Sequence, residues 1–145
     1  EDAARAFAAT LATAPFISGR RTAIGGAIDN SISLIADNRY DGIRRVIDLS
    51  GDGPQNAGPS LSAARNRAEA EMITINGLPI DSARQHPFRP SVSIDVAAYF
   101  ENEVIAGPGA FISPTNEHHD FVDALKRKLI IEIANLDPLR FTRNG

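Results

Sequence analysis

The sequence predicts an α/β fold built around a parallel sheet. Two apolar runs of strand length, 44–50 and 72–80, flank a helical segment at 61–71, and helical segments at 2–14 and 22–37 precede them. Strands that are apolar at nearly every position are typically covered on both faces. Strands that alternate with helices pair in parallel through crossover connections, so we expect helices packed on a parallel sheet.

The two N-terminal helices follow from composition and spacing. Residues 2–14 are rich in alanine, with Phe7 and Leu11 four positions apart and Pro15 as the stop. The second helix, 22–37, carries isoleucines that fall within about 80° on a helical wheel and predict one buried stripe. That stripe consists of Ile24, Ile28, Ile32 and Ile35.

Both strands end in clear loop signals. The first leads into Ser50-Gly51-Asp52-Gly53, and the segment 51–59 holds three glycines and two prolines. The second strand is expected to stop at Pro79, since proline cannot donate to a sheet. A polar segment at 81–91, with Pro87 and Pro90, is predicted to be a loop.

The C-terminal third predicts a short helix at 94–103, a brief last strand at 110–112 and a long helix at 117–134. The apolar spacing of the long helix predicts an inner stripe, which consists of Val122, Leu125, Leu129 and Ile133. Its basic residues are expected to point mostly outward, and these are Lys126, Arg127 and Lys128.

Composition narrows the function classes. The chain has 145 residues, which is about one domain, and 43% of them are hydrophobic. A formal charge of −3 argues against a nucleic-acid partner, which normally requires a basic face. There is no cysteine, so disulfides, thiolate metal sites and cysteine nucleophiles are excluded. No apolar run reaches the roughly 18 residues that span a bilayer.

Two loops could carry a ligand site. Sites in open parallel sheets lie beyond the carboxyl ends of the strands, where Asp52 follows the first strand. Thr22, at the start of the second helix, offers a hydroxyl beside backbone N–H groups. Carboxylate and hydroxyl oxygens suit magnesium, calcium or manganese. The alternative is that Asp52-Gly53 is only a turn and Thr22 only a helix cap.

Four blocks of the chain, in order, resemble a bacterial family of unknown function within the von Willebrand factor A-like group. The blocks are Thr22–Ile28, Arg45–Asn56, Ile73–Ile80 and Val104–Phe111. The resemblance runs from about residue 5 to residue 134. It implies that 1–145 is a single, partial domain with a three-layer, doubly wound, mostly parallel sheet that lacks its N-terminal strands.

The resemblance also implies a function. Members of the larger group bind protein ligands without catalysis, through a metal-ion-dependent adhesion site that holds Mg²⁺, Mn²⁺ or Ca²⁺. Thr22 matches the threonine of that site and Asp52 its aspartate. The ligand completes the metal shell with its own carboxylate. The resemblance also implies an exported or periplasmic location in a bacterium, because this location is common in the group.

The chain departs from this pattern at one point. The group's Asp-x-Ser-x-Ser motif should precede Thr22, where this chain predicts helix and loop. The literal match Asp29-Asn30-Ser31-Ile32-Ser33 follows Thr22 inside the second helix, where Asp29 and Ser31 point about 200° apart. The N-terminal segment is therefore expected to be missing or supplied by another chain, and an exposed sheet edge would favour pairing or oligomerisation.

The other metal-capable or acidic residues are weaker indications of a functional site. Glu117-His118-His119-Asp120 has no zinc spacing and is interpreted as the acidic first turn of a helix, and His86 as a loop residue. An Asp48/Asp52 pair could act in acid–base hydrolysis, which is the weakest of the functional hypotheses; the favoured interpretation is a structural aspartate bonded to nearby loop N–H groups. A structural or assembly protein that keeps the fold without metal is the main alternative to the binding module.

Overall fold

The computed structural model describes residues 2–15, 19, 21–40, 42–80, 94–115 and 121–133. In chain order the elements are α1 (Asp2–Thr13), α2 (Ile24–Asp37), β1 (Arg45–Gly51), α3 (Leu61–Ala70), β2 (Ile73–Pro79), α4 (Val96–Tyr99), which continues into a π-helical turn (Phe100–Val104), and α5 (Phe121–Ile133). The predicted loop at 81–91, with His86, and the segment Glu117–Asp120 lie outside the described residues.

The sheet confirms the predicted parallel pairing. β1 and β2 run in parallel, with Arg45 opposite Ile73 and Gly51 opposite Pro79, and α3 forms the crossover between them. In the described part of the chain the fold is thus α/β, with a two-stranded parallel sheet and five helices.

The brief strand predicted at 110–112 is not a strand in the structure. Ile112 forms a single parallel bridge with Gly77, and Ala106 forms a single antiparallel bridge with Ile75. The segment still follows the outer edge of β2, because Ser113 N donates to the carbonyl of Gly77 at 2.8 Å. Gly107 and Gly109, both at positive φ, turn the chain between the two bridges and interrupt a longer ladder.

One face of the sheet packs against α2, α3 and the π-helical turn. The predicted isoleucine stripe of α2 is confirmed, with Ile35 partly buried at its end. The buried apolar cluster consists of Ile24, Ile28, Ile32, Ile47, Ala64, Ala68, Ile73, Ile75, Phe100, Val104 and Ala106. No α5 side chain belongs to this cluster among the described residues. This cluster therefore lies on one side of the strands.

The short helix predicted at 94–103 is present as α4 and its π-helical turn. Asp95 caps it by accepting from the amide of Ala98 at 2.9 Å. The turn buries Phe100 against the backbone of β2, where a Cβ at Gly77 would lie 2.7 Å from the Phe100 ring. Glycine at this strand position is what lets the aromatic ring sit on the sheet.

Helix α5 turns a different face inward from the one predicted. Val122 is 52% exposed and Leu129 is 41% exposed, whereas Ala124, Lys128 and Ile131 are buried. The prediction that Lys128 points outward was wrong. The physical reason is that α5 meets polar side chains on the second face of the sheet, and these attract the lysine.

Helix α1 confirms the predicted N-terminal helix, and none of its described residues is buried. Phe7 and Leu11 lie on its surface. Across the described residues, the helices are too short or too polar to span a membrane.

Candidate functional site

The loop after β1 is joined to the segment before α2 through the main chain of Thr22. The amide of Thr22 donates to the Asn56 side-chain oxygen Oδ1 at 2.9 Å. The carbonyl of Thr22 accepts from the amides of Asn56, at 2.9 Å, and Ala57, at 3.2 Å. Both polar groups of the Thr22 backbone are thereby satisfied by the loop that follows Asp52.

Gln55 makes a second set of bonds at the same place. Its side-chain oxygen accepts from the amide of Gly25, in the first turn of α2, at 2.6 Å. Its side-chain nitrogen donates to the carbonyl of Pro59 at 2.8 Å. Its backbone amide donates to the hydroxyl of Tyr99 at 3.1 Å. Gln55 therefore ties the loop to α2, to its own far end and to α4.

The two segments are packed without space between them. A Cβ at Gly25 would lie 2.6 Å from the carbonyl oxygen of Pro59, and one at Gly58 would lie 2.9 Å from the Cβ of Ala23. Gly58 also has a φ of +85°, a conformation that favours glycine. We call this arrangement of Thr22, Gly25, Gln55, Asn56 and Pro59 the clasp.

The structure places the two residues predicted to bind metal in the segments that the clasp joins. Thr22 is half-buried, and Asp52 is exposed in the loop three residues before Gln55. Thr22 is not the cap of α2. The N-cap is Ala23, which makes no side-chain cap bond, and Gln55 satisfies an amide of the first turn instead.

A hydroxyl and a carboxylate are hard oxygen donors of the kind that Mg²⁺ and Mn²⁺ prefer. Thr22 and Asp52 would supply two donors of a roughly six-coordinate shell, of which magnesium usually leaves several positions to water. No group of three or more His, Cys, Asp or Glu side chains placed to hold a metal occurs among the residues that the structure describes.

The Asp29–Ser33 sequence lies within α2, as expected of a chance match to the adhesion motif. Asp29 forms an ion pair with Arg67 of α3. The hydroxyl of Ser33 donates to the carbonyl of Asp29, one helical turn back, at 3.1 Å. The Asp29 side chain therefore joins α2 to α3, and the Ser33 side chain bonds within α2.

A polar cluster that sequence reasoning missed lies on the second face of the sheet. Asp48 and Asn76 are register partners in β1 and β2. Lys128 of α5 donates to Asp48 and, at 2.6 Å, to Glu132, whose carboxylate also accepts from the Asn76 side chain at 2.7 Å. The Lys128 side chain is 2% exposed, that of Glu132 12% and that of Asp48 44%. We call these four residues the latch.

Two signals in the sequence point to the latch. Lys128 and Glu132 have the i, i+4 spacing of a helical ion pair, and Asp48 is a charged residue inside an otherwise apolar run. The Asp48 side chain is thus bound to Lys128 of α5. Asp52 lies about four strand positions further on, roughly 13 Å of extended backbone, in the loop that contacts Thr22.

Burial raises the pKa of Glu132 above its ordinary value of 4.5. The hydrogen bond from Lys128 opposes this rise, the neighbouring Asp48 adds to it, and the bond from Asn76 opposes it. The largest cause is the removal of the Glu132 carboxylate from water, which disfavours its charged form and raises its pKa.

By its fold and site, the chain is an α/β protein in which the side-chain amides of two residues join two loops beside a parallel strand pair. The profile of a family described as protein of unknown function (DUF1194) matches residues 1–137. The chain belongs to this family, which confirms the predicted membership in a family of unknown function. No curated protein and no solved structure is significantly similar to the chain.

Proposed function

We propose that this chain is part of a non-catalytic binding module of the von Willebrand factor A-like type, which holds a divalent cation with Thr22 and Asp52. The observation that carries the proposal is the clasp. It holds the main chain of Thr22 against the loop that contains Asp52, so that the two segments that carry these oxygen donors, far apart in the sequence, lie against each other.

The fold supports the same proposal. β1 and β2 are parallel, the α2/α3 core covers one face, and α5 contacts Asp48 and Asn76 of the other face. Helices on both faces of a parallel pair are what a three-layer, doubly wound domain requires. One of the two clasped segments, the loop that contains Asp52, follows the carboxyl end of β1, where such folds place their ligands.

The proposed module would bind its ligand by sharing the ion. When bound, a divalent cation supplies a positive centre for an anionic group such as a carboxylate of a protein ligand. Further donors would come from water and from an Asp-x-Ser-x-Ser segment, which the resemblance to the group places before Thr22. Thr22 would contribute its hydroxyl and Asp52 its carboxylate.

Calorimetric titration of the full-length protein with Mn²⁺ and with Mg²⁺ tests the proposal. Thr22→Val removes the hydroxyl and keeps the branched shape, and Asp52→Asn removes the charge and keeps the size. We expect each to weaken Mn²⁺ binding at least tenfold. Asp37→Asn, an exposed carboxylate at the far end of α2, is the matched control and should change nothing. No binding by the wild type, or binding that neither site variant alters, would overturn the proposal.

A further inference from the structure

We propose that Gln55 and Asn56 are positioning residues that set the Thr22 hydroxyl relative to the Asp52 loop before any ion arrives. This inference rests on the proposed function, in which Thr22 and Asp52 bind the cation. The contacts that carry it are independent of any metal.

Asn56 binds both polar groups of the Thr22 main chain, the amide and the carbonyl. Its side-chain oxygen accepts from the Thr22 amide and its own amide donates to the Thr22 carbonyl, each at 2.9 Å. With both backbone groups held, the direction of the Thr22 Cα–Cβ bond is set. Because threonine is branched at Cβ and its χ1 angle is restricted, only a few directions remain for its hydroxyl.

Gln55 holds the helix that follows Thr22. Helix α2 begins without a side-chain cap of its own, and the first-turn amide of Gly25 is satisfied by the Gln55 oxygen at 2.6 Å. The same side chain donates to Pro59. The start of α2 therefore cannot move relative to the loop without breaking this bond and losing the close contact of Gly25 with Pro59.

Asp52 is connected to this arrangement by a short link. Gly53 and Pro54 alone separate it from Gln55, and proline fixes one backbone dihedral of that link. The amide of Gln55 is in turn held by the Tyr99 hydroxyl. The two amide side chains thus join the loop that carries Asp52 to Thr22 and to the start of α2.

Hydrogen exchange of the metal-free protein tests the positioning. We expect Asn56→Ala to speed exchange at the Thr22 amide about tenfold, and Gln55→Met to do the same at Gly25, because each loses one hydrogen bond. Asn56→Asp keeps the accepting oxygen and should leave the Thr22 amide protected. Asn38→Ala, which removes bonds to the carbonyls of Leu34 and Ile35 at the other end of α2, is the control. Unchanged exchange at both amides would overturn the inference.

Titration with Mn²⁺ supplies the second measurement. Asn56→Ala and Gln55→Met should weaken Mn²⁺ binding about tenfold, whereas Asn56→Asp and Asn38→Ala should not weaken it. Faster exchange with unchanged Mn²⁺ affinity would overturn the positioning role and leave the metal site standing. A wild-type protein that binds no Mn²⁺ would overturn the proposed function, and the positioning role with it.

Discussion

Replacing Lys128 by methionine is expected to destabilise the protein strongly. Methionine keeps an unbranched side chain of similar length and removes the charge. The ammonium of Lys128 is almost completely buried and serves both Asp48 and Glu132. Without it, the carboxylate of Glu132 remains in a site of 12% exposure and has lost the cation with which it is paired.

The structure sets the size of the effect. Removing one partner of a buried ion pair typically costs about 3–5 kcal/mol, because the other charge is left uncompensated. Asp48 is 44% exposed, so water screens its share. We therefore expect a loss toward the lower end, about 3 kcal/mol in the free energy of unfolding at neutral pH. The loss should shrink as the pH falls and Glu132 takes up a proton.

Urea unfolding followed by far-UV circular dichroism measures this loss. Lys126→Met is the matched control on the same helix, since Lys126 and Asp123 are both exposed and 3.9 Å apart, and such pairs contribute at most about 1 kcal/mol. Adding Glu132→Gln to Lys128→Met should recover part of the stability by removing the unpaired charge. The reasoning is refuted if Lys128→Met costs no more than Lys126→Met.

Three further perturbations have defined outcomes in the same unfolding assay. Because the pKa of Glu132 is raised on folding, its contribution to stability is present below pH 4.5 and is lost as the pH rises through the raised pKa. Glu132→Gln should therefore gain stability relative to the wild type as the pH rises across that window, and parallel pH profiles would contradict this. Gly25→Ala should cost about 1–3 kcal/mol, because its Cβ would meet the Pro59 carbonyl, whereas Gly26→Ala, with 3.5 Å to its nearest neighbour, should be neutral or stabilising; equal effects would disprove the close contact. Ile28→Ala should cost about 2–5 kcal/mol because Ile28 is fully buried, and a cost below about 1 kcal/mol would place it outside the core.

The clasp shows how far sequence reasoning reaches at a site. The sequence pattern indicates Thr22 and Asp52 as oxygen donors in two loops, and the structure brings those loops together. It does not indicate Gln55 and Asn56, the residues whose side chains join the loops. A glutamine or asparagine in a loop carries no distinctive spacing. Its role depends on which backbone groups come within reach after folding.

Helix α5 shows that apolar spacing can predict a helix without predicting its buried face. Its period was sufficient to predict a helix, but its buried face was assigned from apolar spacing alone. The face that is buried contains Lys128, because the sheet presents Asp48 and Asn76 to it. Those two residues become neighbours only through the register of β1 and β2, which is 28 residues apart in the chain at every pair.

By itself, the sequence determined the local elements of this protein. The isoleucine stripe of α2, the two apolar strands and the glycine- and proline-rich loop after β1 are set by period and turn chemistry, which act over a few residues. The tertiary structure alone decided the latch, the clasp and the reduction of the last strand to single bridges. The latch and the clasp depend on polar groups far apart in the chain, whose burial is tolerated only where a partner meets them. The single bridges depend on how the glycine turn at Gly107 and Gly109 meets the edge of β2.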